Sequence, residues 1–217
     1  PSLRMRLFLL LAVLAAAVSA MPHDVQVCTL LKSAIIQFAT AIGAPPDMDY
    51  TTADDLQTYV NRKIQSATST KDLIALCDAR QTFYNTMGKN YEECINRYTI
   101  FGLGDTTVGN ARVLEHLFRQ LQFMCSAGFD IWAANRDCIT LTDRTSTCFN
   151  QFDGSVHQNS PVNLCGSNTQ DYLDCIHKDY ETYCGGNHMA GWFGCERERV
   201  GWSKDCVTLT CGNDHDD

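Results

Sequence analysis

The sequence predicts an all-α, disulfide-stapled multi-helix domain with little or no β-sheet, and three observations carry that expectation. Apolar residues recur at steps of three and four along most of the chain, the period of a helix that buries one face. No long run of alternating β-branched residues interrupts that pattern. Twelve cysteines lie between Cys28 and Cys211, all downstream of a short apolar leader. An even cysteine count confined to the region after a leader reads as a disulfide framework made in an oxidising compartment.

The leader occupies residues 1–20. Arg4 and Arg6 flank Met5, the expected initiator. Leu7 to Val18 form an apolar core, and Val18-Ser19-Ala20 offers small residues for cleavage after Ala20. The core is too short to span a bilayer, which takes about 20 residues. The mature product is therefore expected to be one cysteine-rich domain, 21–217, secreted and without a membrane anchor. Its formal charge is −8 with the leader and about −10 once Arg4 and Arg6 are lost. An acidic surface argues against nucleic acid as a partner.

Val27, Leu31, Ala34, Ile35, Phe38 and Ile42 give a first helix over about 25–42, ended by Gly43-Ala44-Pro45-Pro46. Leu56, Tyr59, Val60 and Ile64 give a second over about 53–65, with Thr52 and Asp55 as its capping pair. Leu73, Leu76, Cys77, Tyr84 and Met87 give a third over about 70–87, closed by Gly88. Tyr91, Cys94, Ile95, Tyr98 and Phe101 give a fourth over about 89–101. The strongest stripe runs from Val108 through Ala111, Leu114, Leu117, Phe118, Leu121 and Met124. It predicts a helix over 107–126, followed by a shorter one to about 140. A further short helix begins between Asp143 and Cys148 and runs through Phe152. The turn-forming stretch 153–168 marks a candidate subdomain boundary, pinned by Cys165. Tyr172, Leu173, Cys175, Ile176, Tyr180 and Cys184 restore helical spacing up to Gly185-Gly186. A last helix over about 188–203 turns Trp192, Cys195 and Trp202 partly inward.

The cysteines are unevenly spread. The first gap runs from Cys28 to Cys77, whereas spacing is dense beyond Cys125. The C-terminal half is therefore expected to rely more on covalent constraint, and the N-terminal half on burial.

No catalytic constellation stands out, and the expectation is a protein that is not an enzyme, with no cofactor and no metal. No Cys-x-x-Cys occurs, so neither a zinc site nor a thioredoxin-like redox motif is indicated. The histidines are His23, His116, His157, His177, His188 and His215, and none forms His-Glu-x-x-His. Glu115-His116 falls within the strongest helix and reads as the edge of its stripe. Asp174-Cys175-Ile176-His177-Lys178-Asp179 lacks the adjacent cysteines and the glycine-rich calcium loop of secreted phospholipases. His215 among Asp214, Asp216 and Asp217 reads as an acidic tail.

The cysteine ladder resembles that of a nematode-expanded group of secreted twelve-cysteine domains of unknown function. The residues that carry the likeness are Cys184-Gly185-Gly186-Asn187-His188-Met189-Ala190-Gly191-Trp192 through Cys195, Cys206 and Cys211, and Tyr172-Leu173-Asp174-Cys175. The resemblance covers roughly 28–211 and implies an extracellular location and a helical disulfide fold. That group has no known active site, so no functional residue is carried over.

The resulting expectation is an extracellular protein-binding module whose partner is another extracellular protein. Two alternatives have distinct signatures. A carrier of a small apolar ligand needs a cavity of several hundred Å³ walled by the aromatic-rich C-terminal helices. A secreted hydrolase needs histidine and carboxylate groups converging in a cleft.

Overall fold

A computed structural model of the chain describes residues 28–150, 152 and 165–212. The expected leader with its cleavage site, most of the 153–168 stretch, and His23, His157 and His215 lie outside the described residues. The described residues are mostly helical, with no strand among them. In chain order the helices are α1 (Leu31–Ala41), α2 (Ala53–Gln65), α3 (Thr70–Met87), α4 (Tyr91–Cys94), α5 (Arg97–Gly102), α6 (Val108–Met124), α7 (Phe129–Thr145), α8 (Ser167–Tyr183) and α9 (His188–Trp202). None is long and apolar enough to cross a membrane. The all-α, disulfide-stapled class is the one the apolar periodicity predicts.

Boundaries follow local chemistry. α3 starts where Ser69 and Asp72 form a reciprocal capping box and stops at Gly88, whose φ of 53° few side chains tolerate. Ahead of α2 the cap is not the expected Thr52–Asp55 pair. Asp49 instead accepts from the Thr51 amide at 2.7 Å and its own amide donates to Thr52 Oγ1 at 3.1 Å, which winds Tyr50–Thr52 into a 3₁₀ turn. The expected single helix over 89–101 is two. Asn96 adopts extended backbone and its side chain accepts from the Tyr98 amide at 2.9 Å, so it caps α5 and breaks the run after Cys94. α7 continues past the expected end near 140 to Thr145, with a kink at Asn135. The next short helix begins at Cys148 and not at Asp143.

The six bridges are Cys28–Cys94, Cys77–Cys125, Cys138–Cys184, Cys148–Cys175, Cys165–Cys206 and Cys195–Cys211, and no cysteine is free. One continuous apolar core runs through both groups of bridges. In the first half it centres on three rings. Phe118 of α6 stacks on Phe83 of α3 with centroids 4.2 Å apart and meets Phe38 of α1 at 5.2 Å.

α6 organises the molecule because it is buried on two sides at once. Ala111, Leu114, Leu117, Phe118 and Leu121 carry the apolar packing, as their spacing predicts. Glu115, His116 and Gln120 are also buried. A helix with polar residues on its buried surface must meet partners for them on its neighbours. Those partners define the site.

Candidate functional site

α9 is the helix that makes the site possible. Gly191, Gly194, Glu198 and Gly201 fall at steps of three, four and three, so they form one stripe, and Gly191, Gly194, Glu198 and Gly201 are all buried. A Cβ at Gly194 would lie 2.6 Å from the Tyr180 ring, and one at Gly201 would lie 1.4 Å from His116 Cδ2. The glycines thus let Tyr180 of α8 and His116 of α6 press directly on the α9 backbone. Phe193 and Cys195 supply the buried apolar surface, while Trp192 and Trp202 are half-buried, as expected.

Around that stripe, four helices bring polar and charged groups together. Arg197 Nη2 sits 2.9 Å from Asp143 Oδ1 of α7 and donates to the Tyr180 hydroxyl at 2.8 Å. Its Nε lies 3.3 Å from Glu198 Oε1, which also accepts from Gln120 Nε2 at 2.8 Å. The Tyr180 hydroxyl donates to Asp143 Oδ1. The side chains of Arg197, Asp143 and Glu198 are 12%, 7% and 9% exposed. Ions this far from water persist only when paired and hydrogen-bonded on most sides.

Protonation follows from the burial. Burial, opposed in part by the negative charge of Glu198, pushes His116 below its ordinary value of 6.5, so the ring is neutral at pH 7. Its 3.8 Å approach to Glu198 Oε2 is therefore not an ion pair. The side-chain nitrogen of Gln57 faces His116 Nδ1 at 3.5 Å, which makes Nδ1 the acceptor and leaves the proton on Nε2. Burial also raises the Tyr180 and Tyr172 phenols well above the usual range. Burial alone would lower Arg197, but Asp143, Tyr180 and Glu198 outweigh it and hold the guanidinium charged. Among the described residues, His116 Nε2, Asp143 Oδ2 and the neighbouring Trp202 Nε1 are buried without a hydrogen-bond partner.

Above this floor opens a cleft of about 320 Å³. Its walls come from α2 through Gln57, Asn61 and Gln65, from α8 through Tyr172 and Ile176, and from Ser146, Phe149 and Asn150 beyond α7. Phe149 is 54% exposed, with Tyr172 edge-on beneath it at 6.5 Å, and Phe152 stacks on the same tyrosine at 4.5 Å. A second cleft, of about 290 Å³, lies between α1, α2 and α3 over Ile64, Leu73 and Trp132.

The other titratable residues singled out in the sequence do not converge on the cleft. His177 abuts Gly191 and approaches Glu181 at 3.7 Å, and His188 Nδ1 meets the same carboxylate at 2.8 Å. Asp179 lies beside Cys148 and Cys175, but those sulfurs form a disulfide and hold no thiolate for a metal. His116 is in the cleft and is more than a stripe edge. Asp143, Arg197 and Glu198 escaped the sequence reading. The available signal was the acid on α9 at an inward position among glycines.

No protein-family model, curated protein or solved structure matches the chain.

Proposed function

We propose that this is a secreted binding domain, not an enzyme, whose recognition element is the cleft bounded by α2, α6, α8 and α9. The observation that carries the reading is a cleft at the lower end of small-ligand size whose polar floor is locked and whose walls are not. Asp143 and Glu198 direct oxygens at Arg197, Tyr180 and Gln120, which suits a rigid platform better than proton transfer. His116 is wedged between the α9 backbone at Gly201 and the Trp202 ring at 4.6 Å, so its Nε2 edge faces protein. The polar floor also favours a polar ligand over the apolar one considered from the sequence.

The test is a titration of isotope-labelled full chain with a small-molecule fragment set, followed by amide NMR. Joint shifts of the Gln57, Asn61, Gln65 and Asn150 side-chain amides are expected. Fragments that bind only elsewhere on the protein would refute the cleft as the recognition element. Secretion is checked by expressing the chain with its leader in insect cells. Product in the medium beginning at Met21 is expected, and product held in membranes counts against it.

A protein-binding role has separate support on α5, where Tyr98 and Phe101 stand on one face, 72% and 50% exposed. A photo-crosslinking residue placed at Tyr98 should capture one defined extracellular protein, and the same residue at Asp78 should capture none. Equal capture at both positions would remove this reading.

A further inference from the structure

We infer that the ligand of the cleft is a neutral polyhydroxylated ring compound, a saccharide, held by the side-chain amides of its walls against the Phe149 ring. The inference rests on the cleft being the binding site and adds the chemical class. Charge is the first argument. On the floor one cation, Arg197, faces two carboxylates, Asp143 and Glu198, and the remaining negative charge is balanced by Arg144 on the rim, so the ionised groups lining the cleft sum to zero and favour no ion. Arg144 on the rim directs its guanidinium to the Gln65 carbonyl at 3.4 Å.

Hydrogen-bonding capacity is the second argument. Asn61 and Asn150 hold their amides free of protein partners among the described residues. Gln57 engages His116 through Nε2, which leaves its carbonyl oxygen open, and Gln65 donates to the Asp143 backbone at 3.0 Å, leaving another. An amide presents donors and an acceptor side by side. A hydroxyl also donates and accepts, so a ring bearing several hydroxyls satisfies such walls from any one of them. An apolar ligand would strip water from these amides and return nothing, at a cost for each. A purely anionic or cationic ligand would use half of each amide.

Shape is the third argument. Phe149 is a large aromatic left about half exposed at the mouth and braced edge-on by Tyr172. An exposed, braced ring offers the weakly polar C–H face of a sugar a flat surface to lie on, while the hydroxyls at the sugar's edge reach the amides. The volume of about 320 Å³ suits a ligand of one or two such rings.

The experiment titrates the full chain separately with glucose, galactose, mannose and N-acetylglucosamine, with sodium octanoate, with inorganic phosphate and with choline, monitored by side-chain amide NMR. At least one neutral sugar should shift the Asn61 and Asn150 amides in a saturable way. Phe149→Ala should weaken that sugar by about five- to tenfold, Asn61→Ala should weaken it further, and the remote, exposed Asp78→Ala should leave it unchanged. Titration with a glycoprotein bearing the same sugar, before and after glycosidase treatment, separates a free saccharide from a protein-borne glycan as its source. If octanoate, phosphate or choline shifts the cleft amides while all sugars are silent, the saccharide assignment is overturned and the cleft reading survives. If no probe shifts the cleft amides, both fall. Sugar binding that persists undiminished in both Phe149→Ala and Asn61→Ala also overturns the assignment, since it must then occur elsewhere.

Discussion

Residues 28–125 and 138–211 are held together by different means. The first segment has two bridges, with sequence separations of 66 and 48 residues, and a core of stacked phenylalanines. The second has four, with separations of 46, 27, 41 and 16, and a principal helix whose inward stripe is glycine and glutamate. Apolar burial scales with the area removed from water, and glycine removes very little. The second half therefore gives its inward surface to close approach and to a charged floor, and makes up the loss with cross-links. Where a fold devotes its interior to a polar site, covalent constraint is the substitute for hydrophobic area.

The largest test of this contrast is complete reduction followed by alkylation. Each bridge contributes about 3–4 kcal/mol by the loop-entropy account, so four losses fall on α7 to α9 and two on α1 to α6. Hydrogen exchange should show α8 and α9 losing protection while α3 and α6 keep a measurable share. Simultaneous loss, or earlier loss in α3 and α6, would break the comparison.

Next in size is Phe118→Ala, which removes the ring shared by Phe38 and Phe83 and should cost about 3–5 kcal/mol. A urea midpoint barely moved from that of the unmodified chain would mean that the first half does not depend on burial as described. Arg197→Met strips the compensating charge from Asp143 and Glu198 at once and should cost about 3 kcal/mol, in the range for breaking a buried pair. Because the bridges remain, far-ultraviolet helix content should persist while cleft resonances broaden. Loss of α3 and α6 protection in this variant would show the halves to be less independent than argued.

The smallest effect is the pH dependence from His116. Its folded pKa lies below the ordinary 6.5, so the unfolded chain binds a proton that the folded chain refuses. Stability is full above about pH 6.5 and declines as pH falls from there toward the folded value, by at most about 1.4 kcal/mol per pH unit. The difference between urea midpoints at about pH 7.5 and about pH 5.5 should shrink in His116→Gln. An unchanged difference would detach the histidine from the acid sensitivity of the fold.

What could be read in advance was whatever depends on near neighbours. The apolar spacing of Leu73, Leu76 and Met87 places α3, Gly88 marks its end, and the 108–124 stripe fixes α6 almost to the residue. Apolar periodicity over 89–101 passes straight through Asn96, because a residue that caps one helix looks, by spacing alone, like the interior of a longer one. The site was legible only in fragments. Helical spacing says that Glu198 shares a stripe with Gly194 and Gly201, but not that Gln120, His116 and Arg197 would gather around it. Partnerships across α6, α7, α8 and α9 are set by packing at long separation, as is the pairing of the cysteines. The sequence does not point to the cleft for the same reason: its walls are amides scattered over 57–65 and 146–150, each unremarkable in isolation.

The arrangement of the bridges has a consequence for proteolysis. The loops closed by Cys28–Cys94 and Cys77–Cys125 overlap, and so do the four that together run from Cys138 to Cys211. A single backbone cut anywhere inside either set leaves its pieces tied together. Only between Cys125 and Cys138 does the chain pass from one set to the other as a lone strand. A protease that opened the start of α7 there would leave two separately cross-linked parts with no covalent tie between them, and the cleft, walled by both, would then be held by the shared apolar core alone.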